Sequence, residues 1–379
     1  RFERELEPWQ VPADETPSGR HAVERLTGVA VLRGHEVKLL VDGEATFDSI
    51  FEGIARAERY ILFQFYMIHD DELGRRARDA LVERSRAGVR LFVMFYEEGT
   101  SGLPRAILAS LRDAGVEVSS FRPTRGRGNR FQLNFRNHRK IVVVDGREGW
   151  TGGHNVGDEY LGKDPKLTPW RDTHVYLRGP AVLQLQLTVM GDWYWATRQQ
   201  PPLDWTPAAV DDEPPAQHVL IVPTGPAAAL ETASLFFVSA LSAARDRLWI
   251  AAPYFVPDDA VMKSLKLAAM RGVDVRIITT GMGDSLPVHL AAFHYIYRLR
   301  DLGIRFYAYA PGFMHQKAML VDDQFAYVGS HNFDNRSFRL NFEAGALIAD
   351  PGFAAEVAAM FEADFRHSRT LEPDEFERH

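Results

Sequence analysis

The chain has 379 residues, 46% hydrophobic and 25% charged, enough for two lobes that each bury a real core. A net charge of −7 argues against a general nucleic-acid trap, so any anion site must be local, and the absence of Cys rules out thiolate metal ligands, Cys nucleophiles and disulfides. No apolar run approaches the roughly 18–20 residues that span a bilayer.

In chain order, residues 1–35 read as a polar, irregular segment, and VKLLVDG (37–43) reads as a strand and turn. A first lobe is expected over 36–196. ATFDSIFEGIARAE (45–58) has helical periodicity, RYILFQFYMI (59–68) is β-rich, DDELGRRARDALVERSRAG (70–88) is an amphipathic helix closed by Gly, and VRLFVMF (89–95) is a buried strand. AGVEV (114–118) begins another strand. The segment SSFRPTRGRGNRFQLNFRN (119–137) then carries Arg122, Arg125, Arg127, Arg130 and Arg136 with no acidic residue. Such a run reads either as a solvated loop or as a basic patch that draws an anionic headgroup to the site. TRQQPPLDWTPAAVDDEPPAQ (197–217), rich in Pro and acidic residues, reads as a linker.

A second lobe, 218–379, repeats the script with ASLFFVSALSAARD (233–246), RLWIAAPYF (247–255), DDAVMKSLKLAAMRG (258–272), VDVRIITT (273–280) and LGIRF (302–306). Alternating helices and apolar strands predict an α/β fold with a parallel or mixed sheet. His289 and His294 fall on a helical face in VHLAAFHYIYRL, where packing is the simpler reading.

Two strings carry the chemistry. NHRKIVVVD holds His138, Lys140 and Asp145, and MHQKAMLVD holds His315, Lys317 and Asp322, both spaced H-x-K-x-x-x-x-D. Each runs into a Gly turn and an Asn, Asn155 in GGHN and Asn332 in GSHN, and every equivalent pair is 177 positions apart. Strand alternation puts each His and Lys on one face. A Lys neutralises a phosphate oxygen while an imidazole attacks or moves a proton, so two halves together supply a nucleophile and an acid. Asn155 and Asn332 are placed to donate to the same phosphate. An imidazole needs a partner on its other nitrogen, and the candidates are Asp172 in WRDTHV, 34 residues after His138, and Glu343 in RLNFEAG, 28 after His315. Asp145 and Asp322 lie beyond their strands and read as fixing local geometry. His154 and His331 read as packing histidines, and Tyr66 and Tyr254 are equivalent strand-end residues that line either the cleft or the core.

These strings, with LVDG, DEYLG, GPAV and VGSHNFDNRSFRLNFE, resemble the phospholipase D superfamily, and most closely its bacterial cardiolipin synthases, over roughly residues 37–350. The resemblance implies two αβα-sandwich lobes about a pseudo-twofold axis with one interfacial active site. It implies a covalent phosphohistidine intermediate and neither metal nor other cofactor. His138, His315, Lys140, Lys317, Asp145, Asp322, Asp172 and Glu343 form its catalytic set, and Lys140, Lys317, Asn155 and Asn332 bind phosphate. By the family's habit His138 is the nucleophile and His315 the acid–base group. The expected reaction joins two phosphatidylglycerols into cardiolipin and releases glycerol, with hydrolytic phospholipase D activity as the alternative, a nuclease less favoured and a catalytically dead scaffold least. The expected partners are an anionic phospholipid such as phosphatidylglycerol and the membrane surface, with no nucleic acid. Attachment to the bacterial membrane is expected to be peripheral, or through an N-terminal anchoring segment that this sequence lacks. Gln64 departs from the family, which often has Glu at that position.

Overall fold

In the computed structural model, residues 2–12, 20–96, 105–121, 135–208, 210, 217–228, 230–281 and 286–371 are described. Among the described residues fifteen strands form one mixed sheet, and its order shows two copies of the same half set back to back. From the junction outward the first half runs Leu32–Val41, Thr173–Arg178, Glu148–Gly152, Ile141–Val144, Tyr60–Phe65, Arg90–Tyr96 and Glu117–Phe121. The second answers with Gln217–Ile221, Gly345–Ala349, Phe325–Gly329, Ala318–Val321, Arg247–Ala251, Asp274–Thr280 and Arg305–Tyr309, and Ser368–Thr370 adds an outer strand. The halves join where Leu32–Val41 pairs antiparallel with Gln217–Ile221. In each half the three outermost repeated strands are parallel, as helical crossovers require.

Local sequence explains the helices between them. Asp71 caps Glu72–Arg86 by accepting from Gly74 N, and Asp258 caps the equivalent Asp259–Met270 by accepting from Val261 N, both at 2.9 Å. Asp350 caps Pro351–Arg366, whose first residue is the proline that a helix start tolerates. The strands are buried on both faces. Phe47, Ile50, Phe63 and Leu81 pack under the outer helices of the first half, and Phe236, Phe237, Ile250 and Leu265 under those of the second. A third core is shared: Leu62, Val143 and Trp193 meet Trp249, Leu320 and Phe361 around the helices Val182–Thr197 and Pro351–Arg366. Val182–Thr197 buries most of its length in this shared core and leaves Leu187 and Tyr194 exposed on its outer face.

The N-terminal segment differs from expectation. Phe2–Leu6, Glu7–Trp9 and Arg20–Thr27 are helical, and Leu32–Val41 begins before residue 35. Leu6, Val11 and Val23 are buried, so apolar residues spaced among charges do the ordering that the charges obscure. Of the Pro-rich stretch, residues 197–208 pack on the first half through Asp204, which pairs with Arg59 at 2.6 Å and whose carbonyl accepts from Gln186 at 2.7 Å.

Candidate active site

His138 and His315 come from opposite halves and line one cleft of about 1000 Å³ with Lys140, Asn155, Asn332, Tyr66 and Tyr254. Each histidine sits just before its strand, in a segment fixed by the other half's backbone. His138 N donates to Phe342 O and His315 N to Arg171 O, both at 2.8 Å. Phe342 N in turn donates to Arg136 O at 2.8 Å, while Phe313–Met314 pairs with Trp170–Arg171. The cleft is therefore stitched across the seam by main chain on both sides.

The carboxylates cross the seam as well. His315 Nδ1 lies 2.7 Å from Asp172 Oδ2, and His138 Nδ1 lies 3.4 Å from Glu343 Oε1. Counted along the chain each acid follows the histidine of its own half, yet the structure pairs it with the histidine of the other. Glu343 is fully buried and accepts from Ser330 Oγ at 2.6 Å and from Ser337 Oγ and Asn341 Nδ2 at 3.0 Å. Asp172 accepts from Thr173 N at 2.8 Å, with Trp170 Nε1 at 3.5 Å.

Burial governs the electrostatics. Desolvation, reinforced by Lys140, lowers His138 to about 4, and desolvation, reinforced by Lys317, lowers His315 to about 3. Burial likewise brings Lys140 down to about 8 and Lys317 to about 7. For Asp172 and Glu343 burial favours the acid form, but the neighbouring His and Lys groups outweigh it and hold both carboxyls below their ordinary range. At neutral pH the site thus has neutral imidazoles backed by ionised carboxylates, with lysines that titrate nearby.

Lys140 Nζ donates to His138 O at 2.6 Å, and Lys317 makes the same bond to His315 O. Lys317 is buried behind the cleft rather than lining it. Asn155 accepts from Met67 N at 3.2 Å and donates to Tyr160 OH at 2.6 Å. Asn332 has a buried side-chain oxygen without a partner among the described residues, and rotation of its amide presents two donors to an anion instead.

Asp145 and Asp322 stand away from the cleft, at equivalent positive-φ corners. Asp145 accepts from the main-chain N–H of Glu58, Arg59 and Tyr60 at 2.8 Å, and Asp322 from those of Arg245, Asp246 and Arg247. They fasten the helix-to-strand turn of each half and do not line the cleft. His154 and His331 are fully buried behind the asparagines, His154 against His174 at 3.1 Å and His331 against Thr224 at 2.7 Å and Tyr327. His294 is exposed, and the side chain of His289 lies outside the described residues. Arg136 lines the cleft, whereas Arg122, Arg125, Arg127 and Arg130 lie outside the described residues.

Sequence reasoning missed several groups. Arg336 lines the cleft and sits close enough to Arg136 for that charge, after burial, to lower its pKa. Tyr66, named above as a cleft or core residue, packs edge-on against His138 with ring centres 4.3 Å apart, while Trp170, Phe313 and Tyr160, which the sequence does not single out, surround His315 at 5.2, 6.0 and 6.1 Å. Below the site, Asp192 accepts from Arg139 at 2.6 Å, Gln64 at 2.7 Å and Asn137 at 2.8 Å, and Arg139 also reaches Thr224 O and Glu343 O across the seam. Its counterpart Asp364 accepts from Gln316 at 2.8 Å and takes a forked pair from Arg171 of the other half, at 2.7 and 2.9 Å. Gln64, the departure from the family pattern, is thus a donor to Asp192, a role that a carboxylate at that position fills only when protonated.

Comparison with known proteins places this geometry. The family described as "Cardiolipin synthase, PLD-like domain" matches residues 50–165 and 237–365. A cardiolipin synthase A of Pseudomonas fluorescens is 47% identical over 363 residues, which cover 96% of this chain and 75% of that protein. One of Pseudomonas aeruginosa is 48% identical over 357 residues, covering 94% and 72%. Among solved structures, phosphatidylserine synthase of Haemophilus influenzae shares the fold with a TM-score of 0.71 at 16% identity, over 94% of this chain and 92% of that one.

Proposed function

The chain belongs to the cardiolipin synthase family of phospholipase D-like proteins, and from that premise we propose that it transfers phosphatidyl groups, making cardiolipin and glycerol from two phosphatidylglycerols. The observation that carries this reading is the pair of imidazoles from opposite halves, each backed by a carboxylate from the other half, facing one cleft.

In the first step the phosphodiester seats against Lys140, with the charge of Lys317 behind the cleft wall and Asn155 and Asn332 donating to its oxygens. Its negative charge raises the proton affinity of the neighbouring imidazoles, so His315, hydrogen-bonded to Asp172, takes up a proton. His138 Nε2 attacks phosphorus, its other nitrogen facing Glu343. The N–P bond forms as the P–O bond to glycerol breaks, and His315 gives its proton to the departing oxygen. In the second step a hydroxyl of another phosphatidylglycerol loses its proton to His315 and attacks phosphorus, releasing His138. One phosphodiester is broken and one is made, so the exchange needs no nucleotide.

The substrates are membrane lipids, so the cleft works at a membrane surface. No helix of the described residues is long and apolar enough to cross a membrane. Purified protein given phosphatidylglycerol vesicles is expected to yield cardiolipin and glycerol in equal amounts. Phosphatidic acid as the sole lipid product would instead make it a hydrolase, with water reaching the phosphohistidine.

A further inference from the structure

The cleft is not uniform along its length. Around His138 its wall carries Arg136 and Arg336, and Val256 and Ala291 give an apolar stretch. Around His315 stand Tyr160, Trp170 and Phe313, and the same cleft is lined by the polar side chains of His69, Glu159 and Asp164, Glu159 being next to Tyr160. His69 Nδ1 lies 3.2 Å from Glu159 Oε2, and that contact raises the imidazole's pKa. This pair is tied to the phosphate site by short chain links. Glu159 precedes Tyr160, whose hydroxyl accepts from Asn155, and His69 is two residues from Met67, whose N–H donates to the same Asn155.

We infer that His69 and Glu159 form a polyol subsite that holds the glycerol headgroup as it leaves and the glycerol hydroxyls of the second lipid as they arrive. This rests on the transfer reading, in which both alcohols occupy the position opposite His138, on the His315 side of phosphorus. Among the described residues His69 Nε2 and Glu159 Oε1 have no protein hydrogen-bond partner, so the pair offers two free polar atoms side by side. Neighbouring hydroxyls each donate and accept, and match such a pair. A carboxylate-bearing headgroup would meet Glu159 and Asp164. Asp71 also lies close, within 4.8 Å, but its two oxygens are engaged by Gly74 N and Asp158 N, which favours an organic ligand over a metal ion.

The test follows headgroup release from phosphatidylglycerol, phosphatidylpropanol and phosphatidylethanolamine in detergent micelles. Phosphatidylpropanol keeps the chain length of glycerol and lacks its two free hydroxyls. Glu159→Gln and His69→Gln should each lose about tenfold in kcat/KM on phosphatidylglycerol and less than about twofold on phosphatidylpropanol. The retained propanol rate shows that the fold is intact. Equal losses on both lipids, an unchanged preference, an effect confined to ethanolamine release, or loss of the wild-type preference in EDTA would each overturn the subsite. Product identity in the same reactions judges the transfer reading separately. If only phosphatidic acid forms, that reading fails and the headgroup preference still decides the subsite.

Discussion

The His138 and His315 halves of the site share their sequence pattern and backbone tethers but hold their imidazoles differently. His315 has one carboxylate, Asp172, at 2.7 Å, inside a ring of aromatic side chains. His138 sees Glu343 at 3.4 Å, and that carboxylate is already gripped by Ser330, Ser337 and Asn341. A short bond to a committed carboxylate suits a group that must gain and release a proton in each step. A looser contact to a shared carboxylate suits a nucleophile that must swing onto phosphorus. The two halves are alike in pattern and topology, and their carboxylate anchoring tells them apart.

The largest effect should come from removing either ring. His138→Ala and His315→Ala are each expected to lower steady-state turnover at least about ten-thousand-fold, because neither half can do the other's step. Near-normal turnover in either variant would dissolve the two-half site. The carboxylates should then separate the halves. Asp172→Asn is expected to cost about a thousand-fold in kcat, and Glu343→Gln about tenfold less, with a larger drop in Tm as three donors lose a charged acceptor. Equal kcat losses with equal Tm would erase the distinction between the halves.

Much of the site is legible in the amino-acid sequence. The two H-x-K strings in register, the Asn residues and both carboxylates are readable because chemistry constrains residue type and spacing together. The crossing of Asp172 to His315 and of Glu343 to His138 is not, since separation along the chain carries no record of which half a strand end will face. Arg139, Gln64 and Asp192 are hidden for a similar reason: Asp192 lies 53 positions from Arg139 and 128 from Gln64, and only the shared core brings them together. The helices before residue 28 are masked by charge, because a few buried apolar residues suffice to order them once a neighbouring sheet exists.

The seam offers the next test. Arg171→Met strands Asp364 as a buried charge, and an expected loss of about 3–5 kcal/mol in unfolding free energy would be read by denaturant titration. A change under about 1 kcal/mol would mean that Gln316 alone satisfies Asp364.

The lysines set a pH limb. Their ammonium charge is present below about 7 for Lys317 and about 8 for Lys140 and is lost as pH rises through those values. kcat/KM for an anionic phosphodiester should therefore fall on the alkaline side, about tenfold per unit beyond each value. Lys317→Arg, which stays charged, should move the onset up toward the Lys140 value, and an unmoved onset would assign the limb elsewhere. The smallest effect on rate belongs to Asp145→Asn and Asp322→Asn. Each should cost about 1–3 kcal/mol of stability by weakening three main-chain bonds, while kcat changes less than about threefold. A collapse of kcat with unchanged stability would give these residues a direct part in catalysis.

The division of labour between the two histidines is tested most directly with phosphatidyl-p-nitrophenol, whose leaving group needs no proton. His315→Ala should release one equivalent of p-nitrophenol in a burst and leave a phosphatidyl adduct that peptide mass spectrometry locates on His138, while His138→Ala gives neither. A burst from His138→Ala, with the adduct on His315, would contradict the assignment of nucleophile and acid.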